Sequence, residues 1–347
     1  MPRFSRVPIL AKIIPYNQIP TAKHALTLTF AFMPISHTLI IPVYRNEAFL
    51  PEVLQAVQEI AGQTAGALEV VFVVDGSPDQ SEAWLAEHLP AFAVPSQLIA
   101  LSRNFGSFTA VRTGMQAARG EFIAVMAADL QEPPELMVAF FASLASGNDV
   151  AVGTRSTRDD PAVSQFSARV FWRLYRWLVQ PEIPASGVDV FAVSRRARDA
   201  LLQLDEAHSS LIAQLFWIGF PRAEVPYERR VRKYGSSGWT WRKKAAYLLD
   251  SIFSFTAIPI TLLMVIGFAG TIGFMLLGIA LMAARALNVI AVPGYTAIMV
   301  TILFSASLIL LGLGIVGSYV WRAYENTKRR PLGLVRARAQ FNPSSHG

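Results

Sequence analysis

The chain has 347 residues, no cysteine, a formal net charge of +7 and 53% hydrophobic residues. Without cysteine there are no disulfides, no thiolate-held zinc and no iron–sulfur cluster. A basic and apolar balance points to a membrane surface before it points to nucleic acid, and no nucleic-acid partner is expected. Residues 1–36 hold scattered basic residues, several prolines and a mildly apolar stretch, Ala25–Met33, too short to span a bilayer and lacking a clear cleavage site. They read as an N-terminal extension, disordered or absent from the native protein, with Met33 as the natural start.

From Thr38 short apolar runs alternate with helical patterns. The expected strands are Thr38–Val43, Leu68–Val74, Gln97–Leu101, Phe122–Met126 and Asp149–Val152, with amphipathic helices such as Ala48–Ala61 and Phe108–Ala118 between them. This alternation predicts an α/β domain, residues 37–228, with a mainly parallel, Rossmann-like sheet. Ligands of such sheets bind beyond the carboxyl ends of the strands. The residues there are polar: Tyr44 to Glu47, Asp75 to Asp79, Ser102 to Gly106, Asp129 to Gln131, and Thr154 with Arg155. Any one of these is an ordinary loop; five converging on one edge predict a site.

Residues 164–181 put aromatic residues and arginines on one helix, the composition of an amphipathic helix lying on a membrane; packing against the protein's own membrane helices is the competing reading. Residues 229–256 form a basic loop and juxtamembrane segment. Ser251–Ala284 and Ala286–Trp321 carry no charged residue. Each exceeds the roughly 20 residues that cross a bilayer core, and Pro293-Gly294 marks a turn between them. Two transmembrane helices are expected within 257–321, about Ala257–Ala284 and Tyr295–Val320, followed by a basic tail, 322–347. Basic residues flank the pair on both outer sides and only Arg285 lies between. The positive-inside rule therefore puts both ends, and the catalytic domain, in the cytoplasm. Gly270, Gly273, Gly314 and Ser318 permit close helix contact in a homo-oligomer. The G-x-G-x-x-G match at Gly312–Gly317 lies inside the second apolar run and follows no strand, so it is not a dinucleotide loop.

In order along the chain, IPVYRNE (41–47), VVDGSPD (73–79), LSRNFGS (101–107), ADLQEPPEL (128–136), VGTR (152–155) and RKYGSSGWTWRKK (232–244) resemble the family 2 glycosyltransferases, and more narrowly the polyprenyl-phosphate glycosyltransferases of the dolichol-phosphate-mannose-synthase type. The resemblance runs from about Thr38 to about Pro331. It implies a GT-A fold and inverting transfer of one sugar from a UDP- or GDP-sugar to polyprenyl (undecaprenyl) phosphate. It also implies a place in the bacterial inner membrane and a divalent cation, Mg²⁺ or Mn²⁺. Pro42, Tyr44, Glu47, Asp75, Arg103 and Arg232 correspond to nucleotide-binding positions. Asp129 and Gln131 correspond to the metal site, and Arg155, Arg169 and Arg173 to the acceptor phosphate site, with Asp129 and Arg155 central to catalysis.

Two departures stand out. The family often has Asp-Asp-Gly-Ser and Asp-Ala-Asp-Leu-Gln; here Val74 and Ala127 replace the first aspartate of each. One carboxylate with donor phosphate oxygens and waters suffices for a hard cation, more weakly than two. A lipid phosphate is largely dianionic at neutral pH, so the acceptor needs cations to position it more than a base to activate it. The alternatives are a catalytically silent sugar-nucleotide-binding membrane scaffold, favoured by the missing aspartates, and a processive polysaccharide synthase, disfavoured by the span count.

Overall fold

The computed structural model describes residues 35–64, 67–156, 172–173, 175–184, 186–206, 209–230, 241–287 and 294–342. The extension up to residue 34, Arg169, Arg232 and most of the basic loop lie outside the described residues, as does the first half of the helix expected at 164–181.

The five expected strands form: β1 (Ile35–Val43), β2 (Ala67–Val74), β3 (Ser96–Leu101), β4 (Phe122–Val125) and β5 (Val150–Arg155). Three more join them: β6 (Phe191–Ser194), β7 (Arg222–Tyr227) and β8 (Val335–Phe341). The eight strands make one sheet in the order β7-β5-β6-β4-β1-β2-β3-β8. β1 pairs in parallel with both β2 and β4, β2 with β3, and β5 with β7. β6 is antiparallel to β4 and β5, and β8 to β3. The carboxyl ends of β1 to β5 and β7 thus share one edge of the sheet with the amino end of β6.

Both faces of this sheet are covered, which explains strands that read as nearly continuous apolar runs. Leu39, Ile41 and Val43 of β1 pack with α1 (Leu50–Gln63) and α4 (Pro134–Ala145) on one face. Ile40 turns the other way, against α3 (Ser107–Ala117), α5 (Arg195–Gln203) and α6 (Leu211–Trp217). The short α2 (Ser81–His88) adds Leu85 to the first face. Gly114 of α3 meets Ile40: a Cβ there would lie 2.4 Å from the isoleucine side chain, so the helix reaches the sheet only because glycine stands at this position.

The second half of the helix expected at 164–181 is described in part. Tyr175 is fully buried and its hydroxyl donates to Ser251 Oγ (3.0 Å). Its ring stacks on Tyr247 at 5.7 Å. Both partners belong to α7 (Trp241–Phe255), which is thereby fixed to the catalytic domain. Trp177 is 78% exposed, beside exposed Arg173 and Arg176.

Two long apolar helices follow, α8 (Ile258–Ala286, 29 residues) and α9 (Tyr295–Thr327, 33 residues). At 1.5 Å per residue they extend about 44 and about 50 Å, against a bilayer core of about 30 Å. Among the described residues one stretch, Phe304–Thr327, is by itself long and apolar enough to cross a membrane; α7 and the first half of α8 meet that test only jointly, across a 74° bend. Near its end α9 is tied to α7 by the Arg322–Asp250 ion pair (2.7 Å).

Beyond α9 the basic tail does not trail off. Residues 335–341 return to the catalytic domain as β8, with Arg338 donating to Gln97 Oε1 (2.6 Å) and Arg336 paired with Glu82.

Candidate active site

The shared sheet edge has two sides. On the β1–β2–β3 side the loops are tied to one another. Asp75, 2% exposed, accepts the backbone N–H groups of Phe105 (2.7 Å) and Gly106 (2.8 Å). Ser77 Oγ accepts the N–H of Arg45 (2.8 Å) and donates to Asp79 (2.6 Å). The N–H of Glu47 donates to Asp79 (3.2 Å), and Glu47 Oε2 accepts the N–H of Gln80 (3.0 Å). Hydrogen bonds from Ser77, Ser81 and Glu47 outweigh burial and hold the Asp79 carboxyl below its ordinary value. At Gly76 (φ +56°) a Cβ would lie 2.3 Å from the Arg103 carbonyl carbon, so only glycine lets these two loops meet. Pro42 ends this side of β1, Tyr44 is 41% exposed, and the Arg103 guanidinium lies over Phe105 at 4.0 Å. Pro42, Tyr44, Glu47, Asp75 and Arg103 thus stand together on this side of the sheet edge. Asp75 holds the β3 loop in place with both of its oxygens.

On the β4–β5 side charges crowd. Leu130 has φ +52°, a left-handed conformation that costs about 1 kcal/mol or more for a leucine. It reverses the chain directly after Asp129, bringing the Gln131 N–H to Asp129 Oδ1 at 3.4 Å. The buried Gln131 is held from the far side: Arg229 Nη2 donates to its Oε1 (2.5 Å), its Nε2 donates to the Arg230 carbonyl (3.4 Å), and the Arg230 N–H donates to the Gln131 backbone carbonyl (2.8 Å). The Arg155 guanidinium meets Asp189 Oδ2 through Nε (2.6 Å) and Nη2 (2.5 Å), and the Tyr227 hydroxyl donates to the same oxygen (3.2 Å). Burial opposes the charge on Arg155 and the Asp189 carboxylate more than restores it, leaving its pKa above the ordinary value. Burial, with Asp189 and Glu132 nearby, raises that of the Tyr227 hydroxyl. Glu132 is 2% exposed; burial first, then Asp129 and Asp189, push its carboxyl up to about 7.

Asp129, Gln131 and Arg155 thus stand on this side. Exposed Arg173 lies on the helix whose Trp172 packs on Gly187, where a Cβ would be 2.3 Å from the indole. That contact sets the helix two residues from Asp189. Sequence reasoning missed Glu132, Asp189, Tyr227 and Arg229. Asp189 precedes β6, and because β6 is antiparallel its amino end reaches the same edge; a search of residues after strands passes over it. Tyr227 ends, and Arg229 follows, a strand too rich in polar residues to be recognised.

Asp129 and the Gln131 side-chain oxygen are hard oxygen donors of the kind Mg²⁺ and Mn²⁺ take, with coordination completed by phosphate oxygens and water. The set is lean: among the described residues no group of three or more His, Cys, Asp or Glu side chains is placed to hold a metal ion. It fits a cation that arrives with a diphosphate better than a permanently bound one. A carboxylate beside an amide oxygen, with the partly buried Arg155 at the end of β5, suits chemistry between two phosphate-bearing partners.

Comparison with known proteins bears on which chemistry that is. The sequence model described as "Glycosyl transferase family 2" matches residues 38–199. The chain is 32% identical over 310 residues to an uncharacterized glycosyltransferase of Synechocystis, covering 87% of this chain and 95% of that one. It is 31% identical over 305 residues to the uncharacterized glycosyltransferase YkcC of Bacillus subtilis, covering 87% and 93%. It is 29% identical over 311 residues to the SfII prophage-derived bactoprenol glucosyl transferase of Shigella flexneri, covering 88% and 99%.

Proposed function

The chain belongs to glycosyl transferase family 2 and is a glycosyltransferase, and from that premise we propose that it transfers one sugar, with inversion, from a UDP- or GDP-sugar to polyprenyl phosphate at the cytoplasmic face of a bacterial inner membrane. The bactoprenol glucosyl transferase of Shigella flexneri aligns with it along almost its whole length, which supports a polyprenyl acceptor.

The observation that carries the reading is the return of the chain as β8. The protein leaves the catalytic domain through α7, runs through α8 and α9, and rejoins the same sheet beside β3. A segment that starts and ends on one body crosses a bilayer an even number of times. α8 and α9 then span it as a hairpin, and the edge of the sheet works beside the headgroups where a lipid phosphate resides. In this reading residues 37–228 are the catalytic domain, 229–256 the juxtamembrane segment, 257–321 the two spans, and 322–347 a cytoplasmic tail whose β8 completes the sheet.

The residues divide the work. Pro42, Tyr44, Glu47, Asp75 and Arg103 form the nucleotide pocket, joined by Arg232. Asp129 and Gln131 Oε1 hold Mg²⁺ or Mn²⁺, which when bound offsets the charge on the leaving diphosphate. Arg155, with Arg169 and Arg173, holds the acceptor phosphate in line with the anomeric carbon, against its repulsion by the donor. An acceptor oxygen forms the new bond to that carbon as the bond to the nucleoside diphosphate breaks. The acceptor is already ionised, so no side chain need take its proton. Asp189 and Tyr227 keep the Arg155 guanidinium aimed while the site is empty.

The test is purified full-length protein with radiolabelled UDP- and GDP-sugars and polyprenyl phosphate, with and without Mg²⁺ or Mn²⁺. Label in the lipid fraction is expected. Asp129→Asn should cut it by about 10²–10³-fold, the scale of losing one transition-state charge stabiliser. No transfer from any donor in intact membranes would overturn the reading.

A further inference from the structure

Two side-chain atoms on the β4–β5 side are buried without a hydrogen-bond partner: Glu132 Oε2 and Arg229 Nε. Glu132 follows Gln131 in the chain, Arg229 is hydrogen-bonded to Gln131, and Arg229 is one of the charges acting on Glu132. A buried carboxylate oxygen and a buried guanidinium N–H are each costly when unmatched, and a direct pair between them would relieve both. The guanidinium is instead engaged at Gln131 Oε1 (2.5 Å), the oxygen assigned above to the cation. A guanidinium and a divalent cation cannot share that oxygen at bonding distance, because like charges this close repel strongly in a partly dry site.

We propose that Arg229 and a divalent cation compete for Gln131 Oε1 and that Glu132 is the place Arg229 goes: when the cation takes Gln131 Oε1, the Arg229 guanidinium moves across to Glu132 Oε2. Both are positioning residues that act through Gln131, and the inference rests on the cation reading of Asp129 and Gln131. The exchange gives this chain a way to work with Ala127 where relatives of the resembled type often have aspartate. A cation held by one carboxylate must displace a bound arginine, and a waiting second carboxylate offsets that displacement. It also makes cation binding and the position of Arg229 one event, since Arg229 and Arg230 are both bonded to Gln131.

The experiment is Mn²⁺ titration of the full-length protein in detergent, with UDP present, followed by the electron paramagnetic resonance signal of free Mn²⁺. Arg229→Met should tighten Mn²⁺ about tenfold and Glu132→Gln should weaken it about tenfold, within the range of coupled neighbouring residues. Glu132→Gln should then have little further effect in the Arg229→Met background, and Glu132→Asp should recover part of the affinity. Equal weakening by Glu132→Gln in both backgrounds would show charge alone at work and overturn the exchange, as would Arg229→Met and Arg229→Gln that both bind no tighter than the natural protein. Asp129→Asn separates the layers: if it abolishes Mn²⁺ binding, the cation reading stands whatever the cycle shows; if it binds like the natural protein, that reading falls and the exchange with it. Thermal unfolding of each metal-free variant identifies any that fails to fold.

Discussion

Glu69 and Glu132 are both withdrawn from solvent, 0% and 2% exposed, toward opposite ends of one sheet. Glu69, near the start of β2, is surrounded by donors. Its Oε1 accepts from Thr38 (2.8 Å) and the Arg119 N–H (2.7 Å), and its Oε2 from Arg119 Nε (2.6 Å) and Gln97 (3.1 Å). Glu132, seven residues beyond β4, has an oxygen with no partner and two carboxylates for neighbours. The first arrangement locks helix, strand and loop together. The second keeps a charge under tension at the place where charged ligands must come and go. Burial alone therefore says little about a glutamate; the donors around it separate structural cement from working part.

The comparison can be broken in several ways. The largest expected effect is at Glu69. Removing one member of a buried, bonded charge cluster strands the others, so Glu69→Ala should cost about 3–5 kcal/mol in denaturant unfolding. A cost no larger than that of a surface substitution would erase the contrast. Glu132→Gln should do the reverse. A carboxyl held at about 7 in the fold against 4.5 for the ordinary group binds protons more tightly folded than unfolded. Stability of the metal-free protein therefore falls as pH rises from the lower value through the higher, by about 3 kcal/mol in all. The Gln variant should lack that fall and be the more stable protein above pH 7; parallel stability–pH curves would show that Glu132 carries no such tension.

A smaller change tests how finely Glu69 is matched. Thr38→Val removes one of its donors and the acceptor of the Gly120 N–H (2.9 Å), and should cost about 1–2 kcal/mol. The smallest effect belongs to the link from β8: Arg338→Ala deletes the hydrogen bond to Gln97, itself bonded to Glu69. For a partly exposed contact about 0.5–1 kcal/mol is expected. A cost as large as that of Glu69→Ala would mean that the cluster depends on the returning strand.

How much of this could be read beforehand follows the same physics. β1 to β5 were legible because strands buried on both faces are apolar throughout and stop at polar residues. β6 is only four residues long. In β7 and β8 charged residues alternate, RAEVPY and VRARAQF, as suits edge strands with a solvated side, and such segments look like loops or a basic tail. Within the candidate site, Asp129 and Gln131 follow β4 and Arg155 ends β5, where a search of strand ends looks. Asp189 depends on β6 being antiparallel, and Arg229 on a contact 98 residues away in sequence. Glu132 looked like filler before Pro133 and Pro134; only its surroundings give it meaning.

The pairing of β8 with β3 also sets an order in time. Residues 335–341 leave the ribosome after α8 and α9, so β3 keeps a bare edge throughout the synthesis of the hydrophobic helices. A bare strand edge invites wrong partners, and in the proposed topology its proper cover is a segment that must come back from the bilayer. With that topology, a chain whose hairpin inserted the wrong way round would deliver β8 to the far side of the membrane, where it could not reach its neighbour. Under the proposed topology, closing the sheet would therefore also be an inspection: the catalytic domain would be finished only in molecules whose apolar hairpin had been threaded out and back.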